Sequence, residues 1–129
     1  MSGWYNVTSM IQVSSSFRAR SGIAVNPIAS GLDLNGDGNL SDRTPTFGRN
    51  AFRGPSNNQL DARFTWAVPL QRTRKLYFYV EAFNLLNHQN VLTVNNNYGT
   101  NPAAPVSTWL QPQSWAPPRE IQLATRFTF

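Results

Sequence analysis

The stretch from Arg119 to Phe129 constrains this chain most. Ile121, Leu123, Thr125, Phe127 and Phe129 share one parity, while Gln122, Ala124, Arg126 and Thr128 share the other. A period of two means an extended strand with an apolar and a polar face. The strand runs to the last aromatic with no polar tail. Ends of soluble domains are usually loose and solvated. A transmembrane β-strand accommodates this pattern, because its outer face meets lipid, its inner face meets water, and aromatic girdles mark the interfaces.

Three further segments repeat the signal. Residues 4–20 read as one long strand, with Tyr5, Val7, Ile11, Val13 and Phe17 on one parity and Met10 as the one irregularity. Residues 59–68 alternate most cleanly, Leu60, Ala62, Phe64, Trp66 and Val68 against Asp61, Arg63 and Thr65. Residues 75–86 place Leu76, Phe78, Val80 and Ala82 opposite Tyr77, Tyr79, Glu81 and Phe83, with Leu85 and Leu86 unassigned. Charged residues are costly against lipid but comfortable in a wet lumen. Asp61, Arg63, Glu81 and Arg126 are therefore expected to face the lumen.

The connections alternate long, short, long. Residues 27–58 are rich in Gly, Asn, Asp and Pro, residues 87–118 carry Asn95-Asn96-Asn97 and five prolines, and residues 69–74 make a tight turn. The predicted fold is all-β: an antiparallel up-and-down meander of about four long strands, part of a transmembrane β-barrel with two long outer loops. With the C-terminus at the periplasm, both long loops fall outside, as outer-membrane barrels require. Four strands cannot close, since the smallest such barrels have about eight. Open edges in lipid cost several kcal/mol per unsatisfied backbone group. The chain is thus expected to pair with the rest of a larger barrel or with further copies.

Composition narrows the class. Only 13% of residues are charged, against about 25% in typical soluble domains. That deficit suits a barrel or a small extracellular β-domain, and leaves both open. The formal net charge of +5 is carried by scattered arginines, dense only at Arg72–Lys75. Nucleic-acid binders concentrate such charge in a patch, so no nucleic-acid partner is expected. There is no cysteine, which excludes disulfides and thiolate metal sites. No apolar run reaches the ~18 residues of a membrane helix. The N-terminus lacks the basic start and apolar core of a signal peptide, so the chain is expected to lie within a longer parent protein.

One loop suggests a metal. Asp33, Asn35 and Asp37 sit at alternate positions before Gly38, the first half of a calcium-loop pattern. Asn39 would offer its backbone carbonyl. The twelfth position is Thr44 where the pattern has a bidentate Glu, and Asp42 could supply a nearby carboxylate. The alternative is an Asx-rich turn whose side chains cap their own backbone. No cofactor is required on this reading, and calcium is the one candidate ion. For catalysis the chain offers a single histidine, His88, and no Gly-x-Ser-x-Gly elbow. No enzymatic activity is expected, and His88 is expected at a strand end. Trp4, Tyr5, Trp66, Tyr77 and Tyr79 are read as interface belts. Trp109 and Trp115 could be belts or could stack on ligands such as sugars.

The succession Asp33 to Pro45, Gly48-Arg49-Asn50, Phe52-Arg53-Gly54-Pro55, Leu60-Asp61, Val80-Glu81-Ala82-Phe83-Asn84-Leu85-Leu86-Asn87-His88 and Pro118 to Leu123 resembles the C-terminal end of TonB-dependent outer-membrane receptors of the Oar-like type. These carry a carboxypeptidase-regulatory-like domain ahead of a plug and a barrel. The resemblance covers nearly the whole chain from Ser21 onward. It implies outer-membrane localisation, outer-membrane lipid around the strands, and a parent barrel of about 22 strands of which this chain would be the last four. It also implies transport of an unidentified substrate, with TonB acting through a plug this chain lacks. Phe127 and Phe129 would form the terminal signal read by the barrel-assembly machinery, a β-augmentation, as well as girdle aromatics. The competing reading is a secreted soluble β-module that binds a ligand through a calcium-stabilised loop. Such a module would have to cover Leu60, Phe64, Trp66, Leu76, Phe78, Val80, Leu123 and Phe127 with its own core.

Overall fold

A computed structural model describes residues 1–71, 73–101 and 103–129. Arg72, part of the dense basic group, and Pro102 in the second long connection lie outside the described residues. The described residues contain eleven strands and no helix. The chain divides into two compact units.

The first unit, residues 1–20, 58–89 and 117–129, is a five-stranded sheet. Its strands are β1 (Ser2–Asn6), β2 (Ile11–Arg20), β7 (Asn57–Pro69), β8 (Lys75–Phe83) and β11 (Glu120–Thr128), in the spatial order β1-β2-β7-β8-β11. This is a meander: every neighbour in the sheet is also the next long strand along the chain. Strands β7, β8 and β11 pair antiparallel in unbroken register, with Phe64 opposite Val80 and Val80 opposite Leu123. Ala67 N donates to Met10 O at 2.7 Å, and Lys75 pairs with both Pro69 and Thr128. The two tight turns and the finish of β11 therefore share one end of the sheet. Ala62, Ala82 and Ile121 lie in register toward the other end, from which both long connections depart.

The expected single strand at 4–20 is corrected here to a hairpin. The chain reverses at residues 7–10, where Thr8 Oγ1 accepts from Met10 N (3.2 Å) and Ile11 N (3.1 Å). This is the Ser/Thr turn chemistry that competes with extended backbone. The reversal hides in the sequence because the hairpin register joins odd residues to odd, as in Tyr5↔Val13 and Gly3↔Ser15. The apolar parity therefore passes through the turn unbroken. The sheet has five strands where about four were expected.

The expected strand at 75–86 ends at Phe83. Asn84 and Asn87 take left-handed backbone angles (φ 49° and 50°), and Leu85 and Leu86 lie in the turn between them.

The second unit, residues 21–57 and 90–116, is made from the two long connections. They are not structureless. β3 (Ala24–Val25) pairs with β6 (Phe52–Arg53), β4 (Ile28–Ser30) with β5 (Ser41–Arg43), and β9 (Val91–Val94) with β10 (Pro112–Trp115). Val25, Val91 and Val94 are buried against Phe52, Trp109 and Leu110. Four rings pack in a chain of tilted and edge contacts, Phe47–Tyr98, Phe47–Phe52, Phe52–Trp109 and Tyr98–Trp109, at 4.8 to 5.3 Å between centroids. Such pairs add about 0.5–1.5 kcal/mol each beyond the area they bury. Gly22 is required by close approach: a Cβ there would collide with the Gly54 carbonyl oxygen.

Candidate functional site

The candidate site is the five-stranded sheet, whose two faces differ in chemistry. Residues directly opposite in an antiparallel pair project from the same face. The register therefore gathers Phe64, Trp66, Val68, Leu76, Phe78, Val80, Ile121, Leu123 and Phe127 on one face. Many of its side chains are open among the described residues. Leu123 is 76% exposed, Ile121 62% and Trp66 44%. In water, an apolar surface this continuous would drive association or aggregation. In hydrocarbon it carries no such cost. Toward the tight-turn end the face becomes aromatic. Trp66 and Phe78 stand 5.6 Å apart and Phe127 and Phe129 6.1 Å apart between centroids, as girdle residues do where hydrocarbon meets headgroups.

Asp61, Arg63, Glu81 and Arg126 have the opposite parity and share the other face. Three of them form one cluster. Arg63 Nε lies 3.1 Å from Glu81 Oε1, and its guanidinium carbon sits 4.7 Å from the Tyr79 ring centroid. Asp61 accepts from Gln59 Nε2 at 3.0 and 3.2 Å and from Asn84 N at 2.9 Å. A cavity of about 270 Å3 opens beside them, lined also by Ser2, Ser14 and Ser16. Arg126 is apart from this cluster, opposite Tyr77. Tyr77 and Tyr79 are parallel, with centroids 6.2 Å apart. Both tyrosines thus belong to the polar face and not to an apolar-face belt.

One group escaped the sequence reading. Asn84, 4% exposed, donates from Nδ2 to His88 O (3.0 Å) and Pro117 O (3.3 Å), and its Oδ1 accepts from His88 N (3.1 Å). Asn87 Oδ1 accepts from Arg119 N at 3.1 Å, and Leu85 N donates to Leu60 O at 2.7 Å. The Asn-Leu-Leu-Asn-His turn thereby ties the end of β8 to β7 and to the entry of β11. The two asparagines suit it because Asn tolerates the left-handed region better than other side-chain-bearing residues. The sequence signal was the pair of Asn at a spacing of three just past a strand. Among the described residues, His88 takes part in this turn through its backbone N and O.

The acidic loop joins β4 to β5. Asp33 Oδ1 accepts from Gly36 N (2.6 Å) and Asp37 N (3.1 Å), and its Oδ2 from Gly38 N (2.8 Å). Asp42 Oδ2 accepts from Leu34 N and Asn35 N. Asp37 Oδ1 accepts from Asn39 N at 2.8 Å and Asn39 Oδ1 from Ser41 N at 3.1 Å. Asn35 Oδ1 accepts from Asp37 N, and its Nδ2 donates to Asp37 Oδ2. The five residues proposed from sequence as calcium ligands thus cap their own backbone. These bonds, led by that from Gly38, hold the Asp33 carboxyl below its usual value against a smaller opposing push from desolvation. Among the described residues, no three His, Cys, Asp or Glu side chains group as a metal site. Trp109 is committed to the ring cluster of the second unit, whereas Trp115 is 48% exposed on β10.

Neither a curated protein nor a solved structure matches the chain at a significant level. A family profile described as an outer membrane beta barrel domain matches residues 4–122, which include all of β2, β7 and β8 and the start of β11. That match agrees with the two-faced sheet. The chain belongs to the outer membrane β-barrel domain family, and its place is the outer membrane.

Proposed function

We propose that this chain forms wall strands at the C-terminal end of a TonB-dependent, Oar-like receptor that transports a substrate across the outer membrane. The observation that carries the reading is the sheet itself. Its apolar face is uncovered, its polar face holds a charged cluster, and β1 and β11 stand at unpaired edges. In lipid each unsatisfied backbone group costs several kcal/mol, so both edges call for further strands of a parent barrel. The Glu81-Ala82-Phe83-Asn84-Leu85-Leu86-Asn87-His88 run and the alternating strand that carries Ile121, Leu123 and Phe127 support the Oar-like assignment.

On this reading Asp61, Arg63, Glu81 and Arg126 face the lumen. A cation turned to lipid at the bilayer midplane would cost about 2–4 kcal/mol. Phe127 and Phe129 serve the barrel-assembly machinery, and TonB acts on the plug of the parent protein. The wall does no chemistry of its own. It bounds the pathway, and the unit between its strands takes part in capture.

The test is to isolate the mature protein from the outer membrane and to crosslink it in cells with TonB. A mature chain several times longer than this one, crosslinked to TonB, is the expected result. A mature chain of this length that closes a pore from copies of itself would overturn the proposal.

A further inference from the structure

We infer that Asn35-Gly36 is a latent site of self-modification, and that the Asp33 carboxylate keeps it closed by holding the Gly36 N–H that would otherwise attack the Asn35 side chain. The loop belongs to the second unit, and its chemistry does not depend on the transport reading.

The chain contains one Asn-Gly pair, Asn35-Gly36, and one Asp-Gly pair, Asp37-Gly38, adjacent in the loop between β4 and β5. In such pairs the glycine nitrogen can attack Cγ of the preceding side chain, because glycine has no side chain to hinder the approach and adopts the backbone angles that ring closure needs. At Asn35 the bond from Gly36 N to Cγ forms and the Cγ–Nδ2 bond breaks. Nδ2 leaves as ammonia, carrying the proton that Gly36 N gives up. The product is a five-membered succinimide. Water then adds to one of its two carbonyls and opens it to aspartate or isoaspartate. Asn35 is exposed, so water for that second step is at hand.

The fold engages both reacting groups. Gly36 N donates to Asp33 Oδ1 at 2.6 Å. Attack requires this nitrogen to release its hydrogen and turn toward Asn35, and a carboxylate that accepts the hydrogen opposes both movements. Hydrogen bonds led by that from Gly38 hold the Asp33 carboxyl below its ordinary value, which leaves it ionised and far too weak a base to remove an amide proton. The Asn35 carboxamide is fixed as well: Oδ1 accepts from Asp37 N at 2.9 Å, and Nδ2 donates to Asp37 Oδ2 at 3.0 Å. Asp33 Oδ2 accepts from Gly38 N at 2.8 Å, the nucleophile of the Asp37-Gly38 pair. One carboxylate thus covers both reactive nitrogens. Asp42 instead caps Leu34 N and Asn35 N, neither of which attacks Asn35 or Asp37.

The parent barrel in lipid vesicles, incubated at neutral pH, tests this. After denaturation, trypsin releases residues 21–43 as one peptide, and mass spectrometry follows conversion of Asn35 to aspartate and isoaspartate. The folded wild type should convert about tenfold more slowly than the same protein in urea, since a hydrogen bond to a charged group shifts an equilibrium by about that factor. Asp33→Ala should lose most of this protection. Asp42→Ala, which removes caps from the same loop but leaves Gly36 N held, should keep most of it. Equal rates for the folded and the urea-unfolded wild type would overturn the inference, and so would an Asp33→Ala protein as slow as wild type. Equal acceleration in the two variants would overturn it too, because general loosening of the loop would then be the cause.

Discussion

Replacing Asn84 tests whether the Asn-Leu-Leu-Asn-His turn clamps the strands. Asn84→Ala removes three side-chain hydrogen bonds, to His88 N, His88 O and Pro117 O. Each is worth about 1 kcal/mol net, about 3 in all. Alanine must also hold φ near 49°, which costs a further ~1 kcal/mol. The expected loss is about 4 kcal/mol. Asn84→Gly loses the same bonds without the backbone penalty, so its loss is about 3 kcal/mol. Urea unfolding of the parent barrel in vesicles gives the readout, followed as the folded band on unheated gels. With a slope near 2 kcal/mol per molar, the Ala variant's midpoint falls by about 2 M. Two results would refute the reasoning: an Ala variant within about 1 kcal/mol of wild type, or a Gly variant no more stable than the Ala one. The first would mean that the bonds contribute nothing net. The second would mean that the left-handed backbone is not what selects asparagine.

Three further outcomes follow from the geometry. Leu123→Arg, on the uncovered apolar face, should destabilise the folded barrel by about 2–4 kcal/mol in vesicles, whereas Gln122→Arg, one residue away on the polar face, should cost little; equal effects would break the assignment of faces. Gly22→Ala forces a methyl against the Gly54 carbonyl and should destabilise the second unit by about 2–3 kcal/mol, read as faster proteolysis of residues 21–57 with the sheet still protected. Asp33 has a folded pKa below its ordinary value of 3.8, so its contribution is complete above that value and is lost as pH falls through the lower folded one. Protection of the β4–β5 loop in hydrogen exchange should therefore hold at neutral pH and fade below about pH 4, and Asp33→Asn should remove that dependence. The same exchange measurement with and without calcium separates a self-capped turn, which calcium leaves unchanged, from a cation site, which calcium protects further.

How far the chain could be read depended on how local each signal is. The faces of β7, β8 and β11 were legible because a strand shows its environment every second residue. Phe64, Val80 and Leu123 declare the same face before their register is known. The β1–β2 reversal was hidden by that same rule, because an odd-to-odd register keeps the period intact and only Met10 hints at a turn. The second unit was out of reach for a different reason. Its core draws Val25, Phe47 and Phe52 from one connection and Val91, Val94, Tyr98 and Trp109 from the other, with no shared period.

Asn84 lies between these cases. The run around it stood out as a pattern, but its role depends on the Pro117 carbonyl and the Asp61 carboxylate, distant in sequence, meeting at one turn. That meeting also orders the polar cluster. Asp61 caps the Asn84 N–H and holds Gln59, and two residues along the same strand Arg63 is held by Glu81 and Tyr79. A salt bridge whose side chains are 49% and 29% exposed adds little stability by itself, since exposed pairs are worth about 0–1 kcal/mol. Its value lies in fixing side chains that would otherwise sweep the polar face. Under the transport proposal, a wall with its charges pinned to the sheet would present a defined surface to the substrate, and the Asn84 turn ties together the strands on which those charges meet.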